Sequence, residues 1–193
     1  MSYTEKTAFE ARITNNEWDN LCNITGKFQS GSPAADADCS AGTLCVRGAK
    51  LPCEGFSGVY NEHAYYMTAA TSAANIDSVV YACNTYESQK IAGRYIGHET
   101  LGLGIEAGDR GTFTKIIFDN DHEYRFGVGN TGDEGAASYY TIDAGALKAA
   151  VAAPTAAGSI YFEVTGTGNF VEGVRDSFGY VQVRACRVSV AAG

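Results

Sequence analysis

Between Val79 and Gly129 the chain reads as two aromatic-rich β segments joined by Thr100-Leu-Gly-Leu-Gly-Ile-Glu-Ala-Gly-Asp-Arg-Gly-Thr-Phe-Thr-Lys115. Apolar and aromatic side chains recur there at every second position, and glycines stand where the backbone must turn. A two-residue period lines up those side chains on one face of a pleated strand. The stretch groups no nucleophile with a base, so it describes a folded β scaffold. The first question is therefore what the scaffold binds.

Composition supports the same reading. The chain has 193 residues, 45% hydrophobic and 19% charged, enough apolar material for one well-cored domain or a domain with an arm. Its 12 tyrosines and 9 phenylalanines favour strands, and 23 glycines against 3 prolines favour many turns. The formal net charge is −8, with lysines and arginines scattered singly. Nucleic acid and anionic membrane surfaces call for a basic footprint, so neither is expected as a partner.

The opening Met1-Ser-Tyr-Thr-Glu-Lys-Thr-Ala is polar and resembles no secretion signal, and no apolar run is long enough to span a membrane. Six cysteines (Cys22, Cys39, Cys45, Cys53, Cys83, Cys186) are accordingly expected as reduced thiols packed like small hydrophobes. No Cys-x-x-Cys pair occurs, and the gaps between Cys39, Cys45 and Cys53 fit no familiar zinc-ligand spacing; no metal site is expected.

Residues 1–42 are expected to form an extended N-terminal arm and linker, and residues 43–193 a β-rich domain. In the arm Phe9, Ile13, Trp18, Leu21, Ile24 and Phe28 follow neither a helical nor a strand period. That irregularity fits an arm packing on a partner, or a segment lying over its own domain. Arg12, Trp18 and Phe28 are the expected partner contacts, because Trp and Arg dominate binding hot spots.

Within the domain, strands are expected at 43–47, 62–68, 78–84, 159–165 and 178–190. Two more, 112–118 and 123–128, flank Asp119-Asn-Asp-His122 and read as a hairpin. Asp143–Ala150 reads as one short helix, with Asp143 as N-cap and Pro154 beyond its end. In the last strand the apolar alternation changes phase at Ala185 and Cys186, which predicts a bulge there. The expected fold is mostly β, an antiparallel sandwich or barrel with one short helix.

Three patterns resemble catalytic or ligand motifs and fail on physical grounds. Gly127-Val-Gly-Asn-Thr-Gly132 has the dinucleotide-binding spacing, but carboxylates follow where a helix N-terminus should meet a pyrophosphate. Asp119-Asn-Asp-His-Glu alternates oxygen ligands like a calcium loop, yet Tyr124 stands where that loop needs glycine. His63, His98 and His122 are far apart, and no Gly-x-Ser-x-Gly elbow exists. No catalytic residues and no cofactor are expected.

Ala82-Cys-Asn-Thr-Tyr86, Leu101-Gly-Leu-Gly-Ile-Glu-Ala-Gly108 with Gly111-Thr-Phe-Thr-Lys115, Tyr124-Arg-Phe-Gly127 and Ser177-Phe-Gly-Tyr-Val181 resemble segments of auxiliary head proteins of tailed bacteriophages. The resemblance covers roughly residues 45–190. It implies a non-enzymatic capsid decoration, or cement, protein on the exterior of the virion head. Its partner would be the major capsid protein, assembly would occur in the host cytoplasm, and the protein would be a homo-oligomer, dimer or trimer. A carbohydrate-binding β module of a fibre or tail accessory is the alternative, with Tyr65, Tyr66, Tyr139 and Tyr140 as stacking candidates.

Overall fold

The computed structural model describes residues 7, 9–12, 23–53, 60–72, 79–84, 104–132, 137–170 and 178–189. Its strands are β1 (Phe9–Arg12), β2 (Asn23–Ser30), β3 (Ala35–Asp36), β4 (Cys39–Ser40), β5 (Leu44–Pro52), β6 (Tyr60–Ala69) and β7 (Val80–Cys83). They continue with β8 (Gly104–Ile105), β9 (Gly111–Lys115), β10 (Glu123–Gly127), β11 (Tyr139–Asp143), β12 (Ala146–Ala150), β13 (Ile160–Phe170) and β14 (Phe178–Arg187). The chain is mostly β, and no helix in the described residues is long and apolar enough to cross a membrane.

Six strands form an antiparallel sheet in the order β1-β10-β14-β13-β11-β12. Five others, β2-β6-β5-β7-β9, close into a barrel because β2 pairs with both β6 and β9. Closure with five strands forces a departure from the expected all-antiparallel pairing. Directions alternating around an odd ring must clash once, and here β2 and β6 run parallel, Thr25 beside Ala64 and Phe28 beside Met67.

Two cores result. The larger lies between the six-stranded sheet and one wall of the barrel. It joins Phe9, Tyr124, Phe126, Tyr140, Ile142, Leu147, Phe162, Val181 and Val183 to Leu44, Val80, Ala82 and Ile116. The smaller fills the barrel with Phe28, Cys39, Cys45, Met67, Tyr81, Cys83, Ile105 and Phe113. Strand β7 serves both: Val80 and Ala82 face one core, Tyr81 and Cys83 the other, and all four are buried. Such a strand reads as a continuous apolar run, because neither face meets water.

Several expectations are corrected. Four stretches of residues 1–42 are strands of the fold: β1 pairs with β10, β2 with β6 and β9 in the barrel, β3 with β2, and β4 with β8. The segments around Asp119–His122 do not pair with each other. β9 belongs to the barrel and β10 to the large sheet, so the turn carries the chain from one to the other. Asp119 Oδ1 accepts from the N–H groups of Asp121 and His122, both at 3.0 Å, and Asn120 N–H donates to the Ala185 carbonyl. The bonds to Asp119 are local and suit a crossover as well as a hairpin, while the Asn120–Ala185 bond ties the turn to β14.

The expected helix at 143–150 is a β-hairpin, with Asp143 opposite Ala146 and Ile142 opposite Leu147. Alanine favours helix weakly, but the extended form buries Ile142 and Leu147 together in the large core, and burial decides. A short helical element among the described residues is instead the 3-10 turn at Val128–Asn130. The expected bulge at Ala185 and Cys186 is also displaced. β14 runs in register there, and the irregularity sits on its neighbour β13, between Val164 and Gly166. Ala185 faces the large core, while Cys186 on the opposite face lies beside Tyr161.

Cys39, Cys45, Cys83 and Cys186 are buried, Cys53 is partly so, and none of these five is bridged. Cys22 lies outside the described residues. Inside the barrel the Cys83 thiol donates weakly to the Cys39 carbonyl at 3.9 Å. The Cys39 thiol is pushed far above the usual range, first by its contact with the Cys45 thiol and further by burial. It packs as a neutral, apolar group.

Candidate interaction face

The strands that bury Tyr124, Phe126, Phe162, Val181 and Val183 must turn their alternate side chains outward. On β10, β14, β13 and β11 that outward set is unusually ordered. Tyr139 and Tyr161 lie with ring centroids 6.2 Å apart. Tyr161 is level with Cys186, Glu163 with Arg184, and Arg184 in turn with Glu123. The Arg184 guanidinium reaches Glu163 at 3.5 Å and Glu123 at 4.0 Å. Gln182 Nε2 donates to Glu123 Oε2 at 2.7 Å, while Gln182 Oε1 accepts from Arg125 Nε at 3.3 Å. The Arg125 guanidinium then lies 4.6 Å from the ring centre of Tyr180.

The result is a band from Tyr139 to Tyr180 across four strands, about 14 Å wide at ordinary strand spacing. Its side chains are half-buried by one another, so little rotamer freedom remains to be lost on binding. Two arginines and two glutamates balance, which makes the band formally neutral on a chain of net charge −8. Burial, followed by the neighbouring Cys186 thiol and Glu163, pushes the Tyr161 phenol above its ordinary value, so it stays a neutral donor. Burial chiefly, with Glu163 next, also raises the Cys186 thiol. The arrangement offers flat aromatic area and fixed hydrogen-bonding groups.

Of the expected contact residues, one has a described side chain. Phe28 is 7% exposed and packs inside the barrel with Met67 and Phe113. The Arg12 backbone pairs with Glu123 at the edge of the large sheet, its side chain lying outside the described residues. Trp18 lies outside them as well. Of the tyrosine pair at 139 and 140, Tyr140 is fully buried and Tyr139 faces out. Tyr65 packs on the barrel core with Arg47 4.9 Å from its ring centre.

Tyr161, Tyr180, Arg125 and Arg184 were not singled out from sequence. Their signal was present, as polar or aromatic residues at every second position opposite the apolar ones. Without the strand order nothing showed that four such rows lie side by side. His122 Nδ1 lies 2.5 Å from Asp119 Oδ2, three residues apart on the exposed crossover turn. His98 lies outside the described residues. Among the described residues no group of three or more His, Cys, Asp or Glu is placed to hold a metal ion. Comparison with protein-family models, with curated proteins and with solved structures found no match.

Proposed function

We propose that this protein is a non-enzymatic structural component of a virion, a decoration protein that binds the outer surface of a phage head and stabilises it. The observation that carries the reading is the Tyr139–Tyr180 band. Tyrosine and arginine are the residues enriched at the energetic centres of protein interfaces. Here they are held in place before any partner arrives, on a rigid sheet backed by a large core. A neutral band on an acidic chain suits a folded protein surface, the major capsid protein, better than a charged polymer. The sequence resemblance to auxiliary head proteins supports the same assignment. Repetition over a symmetric shell would convert modest affinity per site into firm attachment.

The test is co-sedimentation of the purified protein with heads that lack it. Stoichiometric binding that raises the heads' disruption temperature is expected. Tyr161→Ala with Arg184→Ala should weaken it at least tenfold, in line with hot-spot losses of about 2 kcal/mol each. Failure of the folded wild-type protein to bind heads overturns the reading. The neighbouring, half-buried rings of Tyr139 and Tyr161 favour one second reading, a carbohydrate-binding module of a fibre or tail accessory. Glycan binding that vanishes in Tyr139→Ala, with no binding to heads, would establish that alternative.

A further inference from the structure

Among the described residues, strand β12 is the last strand of the large sheet and has a neighbour, β11, on one side. In the β11–β12 ladder Asp143 pairs with Ala146 across the turn, Thr141 with Lys148 and Tyr139 with Ala150. These residues exchange the ladder's hydrogen bonds, so Leu147 and Ala149 direct their N–H and C=O groups away from the sheet. An open row of this kind is a template for another strand, which natural edges usually block with proline, a bulge or an inward charge. Residues 146–151 contain no proline, and the β11–β12 register runs without a shift. The lysine in it, Lys148, points to the outer face and is drawn sideways onto Asp143 at 2.7 Å.

Along this edge, and in the bend that follows it at Val151, small and apolar residues are exposed. Leu147 is buried, but Ala149 beside it is exposed and Val151 is 104% exposed. We propose that a second copy of this chain covers the edge, β12 pairing antiparallel with β12 about a two-fold axis so that two six-stranded sheets continue into one. The edge is self-complementary in one register. Centring on Lys148 would set two ammonium groups directly opposite each other, which is unfavourable. Centring on Ala149 brings the outward-facing groups of Ala149 together and matches Leu147 with Val151. It also sets Lys148 against Ala150 of the other copy. A two-fold pairing closes on itself, whereas joining β12 to a different edge would propagate into a filament.

The inference stands apart from the decoration reading and needs no capsid to test. Sedimentation equilibrium of the full chain should show a reversible dimer. Ala149→Pro removes an N–H that the β11 ladder does not use and should abolish the dimer. Val151→Asp, at a fully exposed site, should weaken it about tenfold while leaving the melting temperature of the dilute protein unchanged. Ala150→Glu should tighten it, because each new carboxylate meets the partner's lysine, and Ala150→Lys should loosen it by a similar factor. A monomeric wild type at high concentration overturns the proposal. So does a dimer or trimer indifferent to both Ala149→Pro and Val151→Asp, since its interface would lie elsewhere. A dimer that responds to those two but not to the charge at position 150 refutes the register.

Discussion

The carbonyl of Gly145 accepts a hydrogen bond from the Leu44 N–H at 2.7 Å, and the Gly145 N–H donates to the Ala70 carbonyl at 2.9 Å. One glycine at the tip of the β11–β12 hairpin thus ties the large sheet to the ends of two barrel strands. Asn130 makes a second tie, its side-chain amide donating to the Ala41 carbonyl at 2.8 Å. The first link rests on a close backbone approach that few residues permit.

Gly145 has φ +82°, and a Cβ there would lie 3.0 Å from the Thr43 methyl and 3.2 Å from both Ala69 Cβ and the Leu44 carbonyl oxygen. Gly145→Ala should cost about 1–3 kcal/mol in urea unfolding, from strain and crowding together. A loss below the error of the measurement would show that the tip can move away from the barrel without penalty.

The preceding residue invites the opposite change. Ala144 has φ +47°, so the turn has the type I′ pattern with a β-carbon where asparagine is preferred. Ala144→Asn creates the favoured Asn-Gly pair and should stabilise the protein by about 0.5–1 kcal/mol in the same assay. Unchanged or reduced stability would contradict the turn geometry.

Inside the barrel, a Cβ on Gly26 would come within 2.4 Å of Met67 Cγ and 2.7 Å of the Phe113 ring. The methionine can swing away, but the ring cannot. Gly26→Ala should therefore destabilise by about 1–3 kcal/mol. Adding Phe113→Leu should be less harmful in the Gly26→Ala background than in the wild type, a coupling that a double-mutant cycle measures. Strict additivity would mean that the two positions do not compete for the same space.

The buried thiols should be chemically silent. Thiolate is the reactive form, and the Cys39 thiol is held neutral by its neighbour Cys45 and by burial. Site-resolved alkylation of the native protein at mildly alkaline pH should mark the partly exposed Cys53 ahead of Cys39, Cys45 and Cys83. These three should react fully once denaturant is added. Rapid native labelling of all three would disprove a sealed barrel.

At the crossover turn, burial pushes the Asp119 carboxyl upward, but the N–H groups of Asp121 and His122 together with the His122 ring outweigh it. The net result lies below the ordinary value of 3.8. A carboxyl lowered in the fold stabilises it above the unfolded-state value and loses that contribution as pH falls through the folded-state value. Stability measured from pH 5 downward should thus fall less steeply in Asp119→Asn, which keeps the Oδ1 acceptor but has no charge to lose. Identical slopes for the two proteins would remove Asp119 from the acid response.

Strands announced themselves where one face is apolar and the other polar, as in β10 with Tyr124 and Phe126, or where both faces are buried, as in β7. β2 escaped notice for a specific reason. Its inward positions are Ile24, Gly26 and Phe28, and the glycine that makes room for Phe113 interrupts the apolar alternation. The β12 segment was misread because alanine carries helical propensity but little information about burial. The crossover at Asp119–His122 was unreadable locally, since the bonds to Asp119 within it are those of a hairpin turn and its other bonds reach β14, far away in sequence. The outward band needed the order β11-β13-β14-β10, a non-local property that no single strand encodes.

Because β7 faces a core on each side, it is a partition between two interiors, and this sets how the gene can drift. Most strands in the fold have one face open to water, where polar substitution is tolerated and variation can accumulate. At Val80, Tyr81, Ala82 and Cys83 no such face exists. In a saturating mutational library this four-residue stretch should appear as an unbroken block of intolerance, flanked by strands whose tolerance alternates from one residue to the next.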